Sequence, residues 1–152
     1  MLFQRVNRSS PEKVFVVAYN SYSTAAITNG QGVNWDFITD VDGVGVTMPL
    51  ARATNAGMGA AGIVASASIA AGDYGLIQVY GYHSAVRVRT VTGGTPAIAK
   101  GRPLVHNVAG SVFCLESVAT ASTTLLTFPI AFALAANSSF TTLAKAAFIR
   151  AL

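Results

Sequence analysis

Arginine is the residue type in this chain whose spacing could most readily support chemistry. In "YHSAVRVRTV" (82–91), Arg87 and Arg89 lie two residues apart. Successive side chains of a β-strand point to opposite faces, so both guanidinium groups are expected on one face, with His83 able to lie alongside. Two neighbouring guanidinium groups can hold carboxylates at a protein interface. The same pattern would also suit a strand face in solvent.

Three other basic residues, Arg52, Lys100 and Arg102, are candidates for contact with a partner. The candidate partner interface therefore consists of five positions: Arg52, Arg87, Arg89, Lys100 and Arg102. The formal net charge of +4 is compatible with an acidic partner. The basic residues are scattered and form no run, so we do not expect nucleic acid to be the partner.

Glycine-rich and acidic segments give little support for a cofactor or a metal ion. The segment "GMGAAG" (57–62) has the letters of a dinucleotide-binding fingerprint, but that motif needs an acidic residue about 20 positions further on, and Asp73 comes too early. The segment "DVDG" (40–43) begins like a calcium loop, whose twelfth position should be glutamate. Here that position is Ala51. Turns are the expected role of both segments.

The residues that usually carry catalysis are few. His83 and His106 are the only histidines, and neither has a metal-ligating residue at a suitable spacing. Cys114 lies between apolar neighbours in "GSVFCLES" and is expected to be a buried thiol. Six carboxylates leave little for paired acid–base work. We expect no catalytic, cofactor or metal site, and no enzyme activity.

The elements that would position these residues are predicted to be short strands. Segments rich in β-branched and aromatic residues recur about every ten positions between glycine-bearing turns. They include "KVFVVAYN", "GVGVTMPLA", "IVASASIA", "YGLIQVYGY", "SAVRVRTV", "PLVHNVA" and "SVFCLES". The pattern predicts a mainly β fold, a small single-domain barrel or sandwich of short antiparallel strands. One short helix is allowed at 138–147, where serines precede an alanine-rich segment. Residues 1–12 are predicted to form an N-terminal arm or extended segment, and residues 13–152 a single β-rich domain.

One phrase occurs twice. "IAAGDYGLIQVYG" (69–81) is echoed by "IAKGRPLVHNVAG" (98–110). Glycine after a strand-leading alanine suits a tight turn with positive φ, which predicts that Gly72 and Gly101 are turn residues. Gly81 is expected to mark a further turn or a bulge. Each copy is read as a turn followed by a strand, and the two strands as equivalent walls of one small barrel.

The composition predicts that this chain buries surface against other molecules. Hydrophobic residues make up 52% of the sequence and charged residues 11%, compared with about 25% charged in an ordinary soluble domain. The apolar segment "LLTFPIAFALAA" (125–136) is shorter than the ~20 residues that a membrane-spanning helix needs. The first fifteen residues do not resemble a signal peptide. The chain is expected to be soluble and unexported, with no membrane partner.

Three segments resemble the small head decoration, or cement, proteins of tailed bacteriophages. They are "SIAAGDYGLIQVYGYHSAV" (68–86), "AIAKGRPLV" (97–105) and the ending "AKAAFIRAL" (144–152). Members commonly show a G-x-x-G-x-x-Q-V-x-G strand, then an A-x-x-A-G-x-x-L strand, and a basic and apolar end. The resemblance covers about residues 62–110 and the C-terminus. The chain departs from it at Lys100-Gly101-Arg102, which is basic where an acidic residue after the glycine is common.

This resemblance implies a virion structural protein without catalytic activity. Such a protein is made in the host cytoplasm, binds the major capsid protein on the capsid surface, and reinforces the shell, often as a homotrimer. Two other classes stay open from the residues. One is another phage structural subunit, such as a tail, connector or minor capsid protein. The other is a small ligand-binding β-barrel that would use the glycine loop or the Arg87/Arg89 face.

Overall fold

The computed structural model describes residues 12–40, 43–49, 59–90, 97–106, 114–117, 129–139 and 141–151. These ranges contain eleven strands and no helix. The strands are β1 (Lys13–Asn20), β2 (Ile27–Thr28), β3 (Gly32–Trp35), β4 (Gly45–Thr47), β5 (Ala60–Val64), β6 (Ser68–Ile69), β7 (Tyr74–Val88), β8 (Pro103–His106), β9 (Leu115–Ser117), β10 (Ala131–Ala133) and β11 (Leu143–Arg150). The predicted mainly β fold is confirmed.

The main sheet of nine strands closes on itself twice through β7, its longest strand. The first half of β7 pairs with β1 and β5, and the ring β1–β4–β3–β5–β7 is complete. The second half of β7 pairs with β11 and β9, which completes the ring β7–β9–β8–β10–β11. We call the two rings the first barrel and the second barrel. Because β7 belongs to both, they are parts of one continuous sheet, and the two strands predicted around 82 are one.

The two barrels have the same connectivity. If the five strands of each ring are numbered along the chain, both rings run first, third, second, fourth, fifth. In each ring the first and third strands are parallel, β1 with β4 and β7 with β9, while the other four pairs are antiparallel. The prediction of antiparallel strands therefore holds for all but one pair in each barrel.

Individual hydrogen bonds repeat with the same spacing. The Val64 N–H donates to the Gln31 carbonyl at 2.8 Å, and the Ala133 N–H donates to the Arg102 carbonyl at 2.9 Å. These donors lie 69 residues apart and these acceptors 71 residues apart.

A side-chain bond follows the same rule. Asn20 Nδ2 donates to the Ile69 carbonyl at 2.9 Å, and Thr90 Oγ1 donates to the Ser139 carbonyl at 3.0 Å. Donors and acceptors are each 70 residues apart. The chain is therefore built from two tandem units of about 70 residues that share β7.

Each barrel has its own core of small and β-branched side chains. The first core contains Ala18, Ile27, Val33, Val46, Ala61, Val64, Ile69 and Ile77. The second contains Ile63, Val86, Val88, Ile98, Leu104, Leu115, Ile130, Ala131, Ala133, Ala147 and Ile149. Ile63 belongs to the second core although β5 is a strand of the first barrel. Because alternate residues of a strand face opposite sides, β5 contributes to both cores and packs the barrels together.

Three turns share one design, an isoleucine followed three residues later by glycine. Gly30, Gly72 and Gly101 have φ values of 80°, 85° and 81°. In each turn the residue after glycine donates its N–H to the carbonyl three residues earlier. The isoleucines, Ile27, Ile69 and Ile98, are all buried. The turn predictions for Gly72 and Gly101 are confirmed.

The strands that follow the repeated phrase are not equivalent walls of one barrel. The first copy leads into β7, which begins in the first barrel, whereas the second leads into β8 of the second barrel. The structural counterpart of residues 98–102 is instead residues 27–31, "ITNGQ", which sequence comparison did not pair with it. The repeat marks a shared turn, and the duplicated unit is longer than the repeat.

Gly81 marks the place where β7 passes from one barrel to the other. It pairs with Lys13 of β1 and with Ile149 of β11, and its φ is 100°. A Cβ atom here would lie 2.0 Å from the Glu12 carbonyl oxygen. Glycine is therefore required by both conformation and space, and the strand continues where a turn or a bulge was predicted.

The helix allowed at 138–147 is wrong. Residues 143–150 form β11, which pairs with β7 on one side and β10 on the other. Ala147 and Ile149 alternate into the second core. Local helix propensity is a weak influence, and here the burial of alternate side chains between two strands overrides it.

Candidate interaction surface

Acidic and basic side chains are separated between the two barrels. The described part of the first barrel carries four acids and one lysine, a net charge of −3: Glu12, Asp36, Asp40 and Asp73 against Lys13. The described part of the second barrel carries six basic residues and one acid, a net charge of +5: Arg87, Arg89, Lys100, Arg102, Lys145 and Arg150 against Glu116. The chain therefore presents opposite potentials at its two ends.

Arg87 and Arg89 lie at the end of β7, where the second barrel meets the first. Arg87 Nη2 donates to Thr28 Oγ1 at 2.8 Å, and the Arg87 N–H donates to the Gly30 carbonyl at 2.8 Å. Within the described residues, Arg89 Nε is buried without a hydrogen-bond partner. Arg87 thus joins the two barrels, and the role of this pair at a partner interface stays a prediction.

The other three predicted positions do not join this pair. Lys100 is exposed and Arg102 half-buried, both in the turn of residues 98–102. Arg52 lies outside the described residues. The structure therefore places four of the five candidates on the second barrel, and it divides them between the barrel junction and an exposed turn.

The buried histidines and the cysteine form no metal site. Across the ranges that the structure describes, no group of three His, Cys, Asp or Glu side chains could hold a metal ion. Burial lowers the pKa of His106 to about 3 and raises the pKa of Cys114 to about 11. Both groups are therefore neutral at pH 7. Burial also lowers the pKa of His83, whose Nδ1 accepts a hydrogen bond from the Ala85 N–H at 3.1 Å.

The turn after β3 is braced by the carboxylate of Asp36. This carboxylate accepts hydrogen bonds from Ser21 Oγ at 2.6 Å, from the Ile38 N–H at 3.2 Å, and from both the N–H and the hydroxyl of Thr39. Burial alone would raise the pKa of Asp36, but these hydrogen bonds outweigh it and lower the pKa below its ordinary value. The turn is held in one conformation.

This braced turn presents two apolar side chains to solvent. Phe37 is 59% exposed and Ile38 is 79% exposed. We call these two residues the apolar tip. Their exposure contributes nothing to the core, while the Asp36 network fixes their positions. A rigid, exposed apolar pair is typical of an anchor for another molecule.

A groove lies next to the apolar tip. Its apolar walls are Tyr19, Val44 and Tyr74, and the two tyrosine rings are 5.3 Å apart. Ser21, Thr39 and Asp40 supply polar groups, and the volume is about 460 Å³. We call it the tyrosine groove. It extends the apolar tip into one recognition surface at the acidic end of the molecule.

The outer face of β1 is a second exposed apolar surface. Phe15 and Val17 are 42% and 61% exposed, and Leu76 lies opposite Val17 on β7. Sequence analysis identified β1 as a strand but none of these exposed residues as functional. The available signal was "KVFVVAYN", whose apolar residues occupy both faces of the strand. Such a pattern indicates a strand that is covered on both sides.

Comparison with known proteins gives one structural similarity. No protein-family model and no curated protein matches this chain. The N base of head fiber gp8.5 in bacteriophage phi29 is similar, with a TM-score of 0.46 and 12% sequence identity over 92% of this chain and 96% of that chain. A similarity of this size carries no argument about function, which must come from the residues of this chain.

No helix in the described ranges is long and apolar enough to cross a membrane.

Proposed function

We propose that this chain is a phage virion structural protein that binds the outer surface of a capsid and stabilises the shell, without catalysis. The observation that carries the proposal is the apolar tip, two exposed apolar side chains on a turn braced by Asp36. The sequence resemblance to head decoration proteins supports it. So does a composition with 11% charged residues, which suits a chain that buries surface against neighbours.

The mechanism is physical. The apolar tip inserts into a pocket of the major capsid protein, and the tyrosine groove beside it receives a neighbouring side chain. Tyrosine suits this role because its ring contributes apolar area and its hydroxyl stays hydrated at the rim. Self-association into a homotrimer lets one assembly bridge several capsid subunits. Multivalent binding then converts a modest affinity per site into a large gain in shell stability.

Capsid binding tests this proposal. Expanded capsids are prepared from a phage mutant that lacks the protein, mixed with the purified chain, and recovered by sedimentation. We expect saturable binding and capsids that resist heat or chelating agents longer than bare capsids. Absence of binding, with the chain folded, would contradict the proposal and favour another structural role, in a tail or connector.

The Ile38→Asp variant is expected to bind these capsids at least about tenfold more weakly, because a charge replaces an anchor that must be desolvated. The fold should persist, since Ile38 is 79% exposed. Leu143→Asp is the matched control, because Leu143 is also exposed but lies on β11 of the second barrel. Equal loss of binding in both variants would show that the apolar tip is not the anchor.

A further inference from the structure

The two barrels of one chain meet through a contact whose parts can be named. Residues 85–87 of β7 lie on the turn of residues 27–31. The Arg87 N–H donates to the Gly30 carbonyl at 2.8 Å, and Arg87 Nη2 donates to Thr28 Oγ1 at 2.8 Å. Gly30 is so close that a Cβ atom would lie 2.0 Å from the Ala85 carbonyl oxygen. A strand edge of one unit thus covers the glycine turn of the other.

Both sides of this contact occur a second time in the duplicated fold. With the 70-residue spacing, Phe15 and Val17 of β1 correspond to Ala85 and Arg87. The turn of residues 98–102 corresponds to that of residues 27–31. The second strand edge and the second turn have not been brought together within the chain.

The turn of residues 98–102 is open. Ala99, Lys100 and Gly101 are all exposed. A Cβ atom on Gly101 would have nothing within 4 Å, although Gly101 has the same backbone conformation as Gly30. The turn therefore has room for a strand where its counterpart is covered.

The corresponding edge of β1 is also open. Leu76 pairs with Val17, but the Leu76 carbonyl accepts from the N–H groups of Ala65 and Ser66, on the side away from β1. In an antiparallel pair this geometry points the Val17 N–H and carbonyl away from β7 as well. Within the described part of the chain, β4 pairs with this side of β1 only from Tyr19 onward. Open strand edges of this kind are templates for adding another chain segment.

The side chains differ in a matched way between the two cases. Inside the chain, the strand residue Arg87 and the turn residue Thr28 are both polar and share a hydrogen bond. Their counterparts, Val17 on the strand and Ala99 on the turn, are both apolar. A polar pair has become an apolar pair at both positions, so each side of the open contact still suits the other.

We propose that β1 of a second copy docks on the turn of residues 98–102, reproducing between two molecules the contact that joins the barrels within one. The proposal rests on the self-association included in the proposed function and names its surface. The charges favour it, because the docking barrel has a net charge of −3 and the receiving barrel +5 over the described residues. Such a contact uses different surfaces on the two partners, so it is head-to-tail and closes into a ring at a fixed copy number.

The test uses two single variants of the full chain, Val17→Asp and Ala99→Asp, studied by analytical ultracentrifugation. Each introduces a carboxylate into one side of the contact, and each should weaken self-association by about tenfold or more. Mixed together, they should form a dimer but no larger ring, because only one intact strand edge can meet one intact turn. Ile38→Asp is the control that should self-associate like the parent chain. Circular dichroism checks that every variant is folded.

Three results would overturn the proposal: a parent chain that is monomeric, normal assembly of Ala99→Asp, or no dimer in the mixture. A symmetric interface through β1 alone would give the last two. Capsid binding is measured separately on the same proteins. Capsid binding without head-to-tail assembly would reject this contact only, and assembly without capsid binding would reject only the proposed function.

Discussion

Gly30→Ala is expected to destabilise this protein far more than Gly101→Ala, although the two glycines are counterparts in the duplicated fold. Both have φ close to 80°, so alanine at either position has the same conformational cost, about 1 kcal/mol. Their surroundings differ. A Cβ atom at Gly30 would lie 2.0 Å from the Ala85 carbonyl oxygen, whereas one at Gly101 would meet nothing within 4 Å. We expect a loss of about 3 kcal/mol or more for Gly30→Ala.

The measurement is the free energy of unfolding of each variant by urea titration. Gly72→Ala is a second control, because Gly72 has φ of 85° and its nearest added contact would be an ordinary 3.7 Å to the Tyr19 hydroxyl. Similar losses in Gly30→Ala and Gly101→Ala would mean that the covered turn does not hold the barrels together. That result would also remove the intramolecular precedent for the proposed contact between copies.

Local features of this fold could be predicted from sequence, because they depend on a few adjacent residues. Gly72 and Gly101 were identified as turn residues since only glycine takes positive φ cheaply. The mainly β composition was equally clear. The duplication was not visible, because counterparts such as Val17 and Arg87, or Thr28 and Ala99, have changed type while keeping their places. What is preserved is backbone hydrogen bonding, which many side chains can support.

The interaction surface was predicted less well for a related reason. Basic residues can be found by type, so Lys100 and Arg102 could be proposed as partner contacts. Whether an apolar residue is buried or exposed depends on what packs on it. Phe37 and Ile38 read as part of an alternating strand, whereas the structure places them on an exposed turn because Asp36 captures the backbone N–H groups that follow it. Tertiary contacts decide such cases.

Acid is expected to weaken the fold well before any described carboxylate with a lowered pKa can be protonated, and His106 is the reason. The imidazole is buried on β8, packed where Gly32 leaves room for it. Within the described residues neither ring nitrogen has a hydrogen-bond partner. Burial therefore lowers the pKa of His106 to about 3, from 6.5. As the pH falls below 6.5, the unfolded chain binds a proton at this residue and the folded chain does not.

The contribution of His106 to stability is therefore complete above pH 6.5, is lost progressively between pH 6.5 and pH 3, and changes no further below that. Between pH 7 and pH 5 the loss should be about 2 kcal/mol. The Asp36 carboxylate does not contribute in this window, because its pKa lies below 3.8. The lowered pKa of His83 adds a loss of the same sign.

His106→Leu separates these effects. Leucine fills a similar volume without a titratable group, so urea unfolding at pH 7, 6 and 5 should show most of the pH dependence removed, with the part due to His83 remaining. At pH 7 the variant should be at least as stable as the parent, because an imidazole with two unpaired nitrogens is costly to bury. An unchanged pH dependence in a folded variant would show that another group senses acid. A large loss at pH 7 would instead mean that the ring makes a contact on which the junction of the two barrels depends.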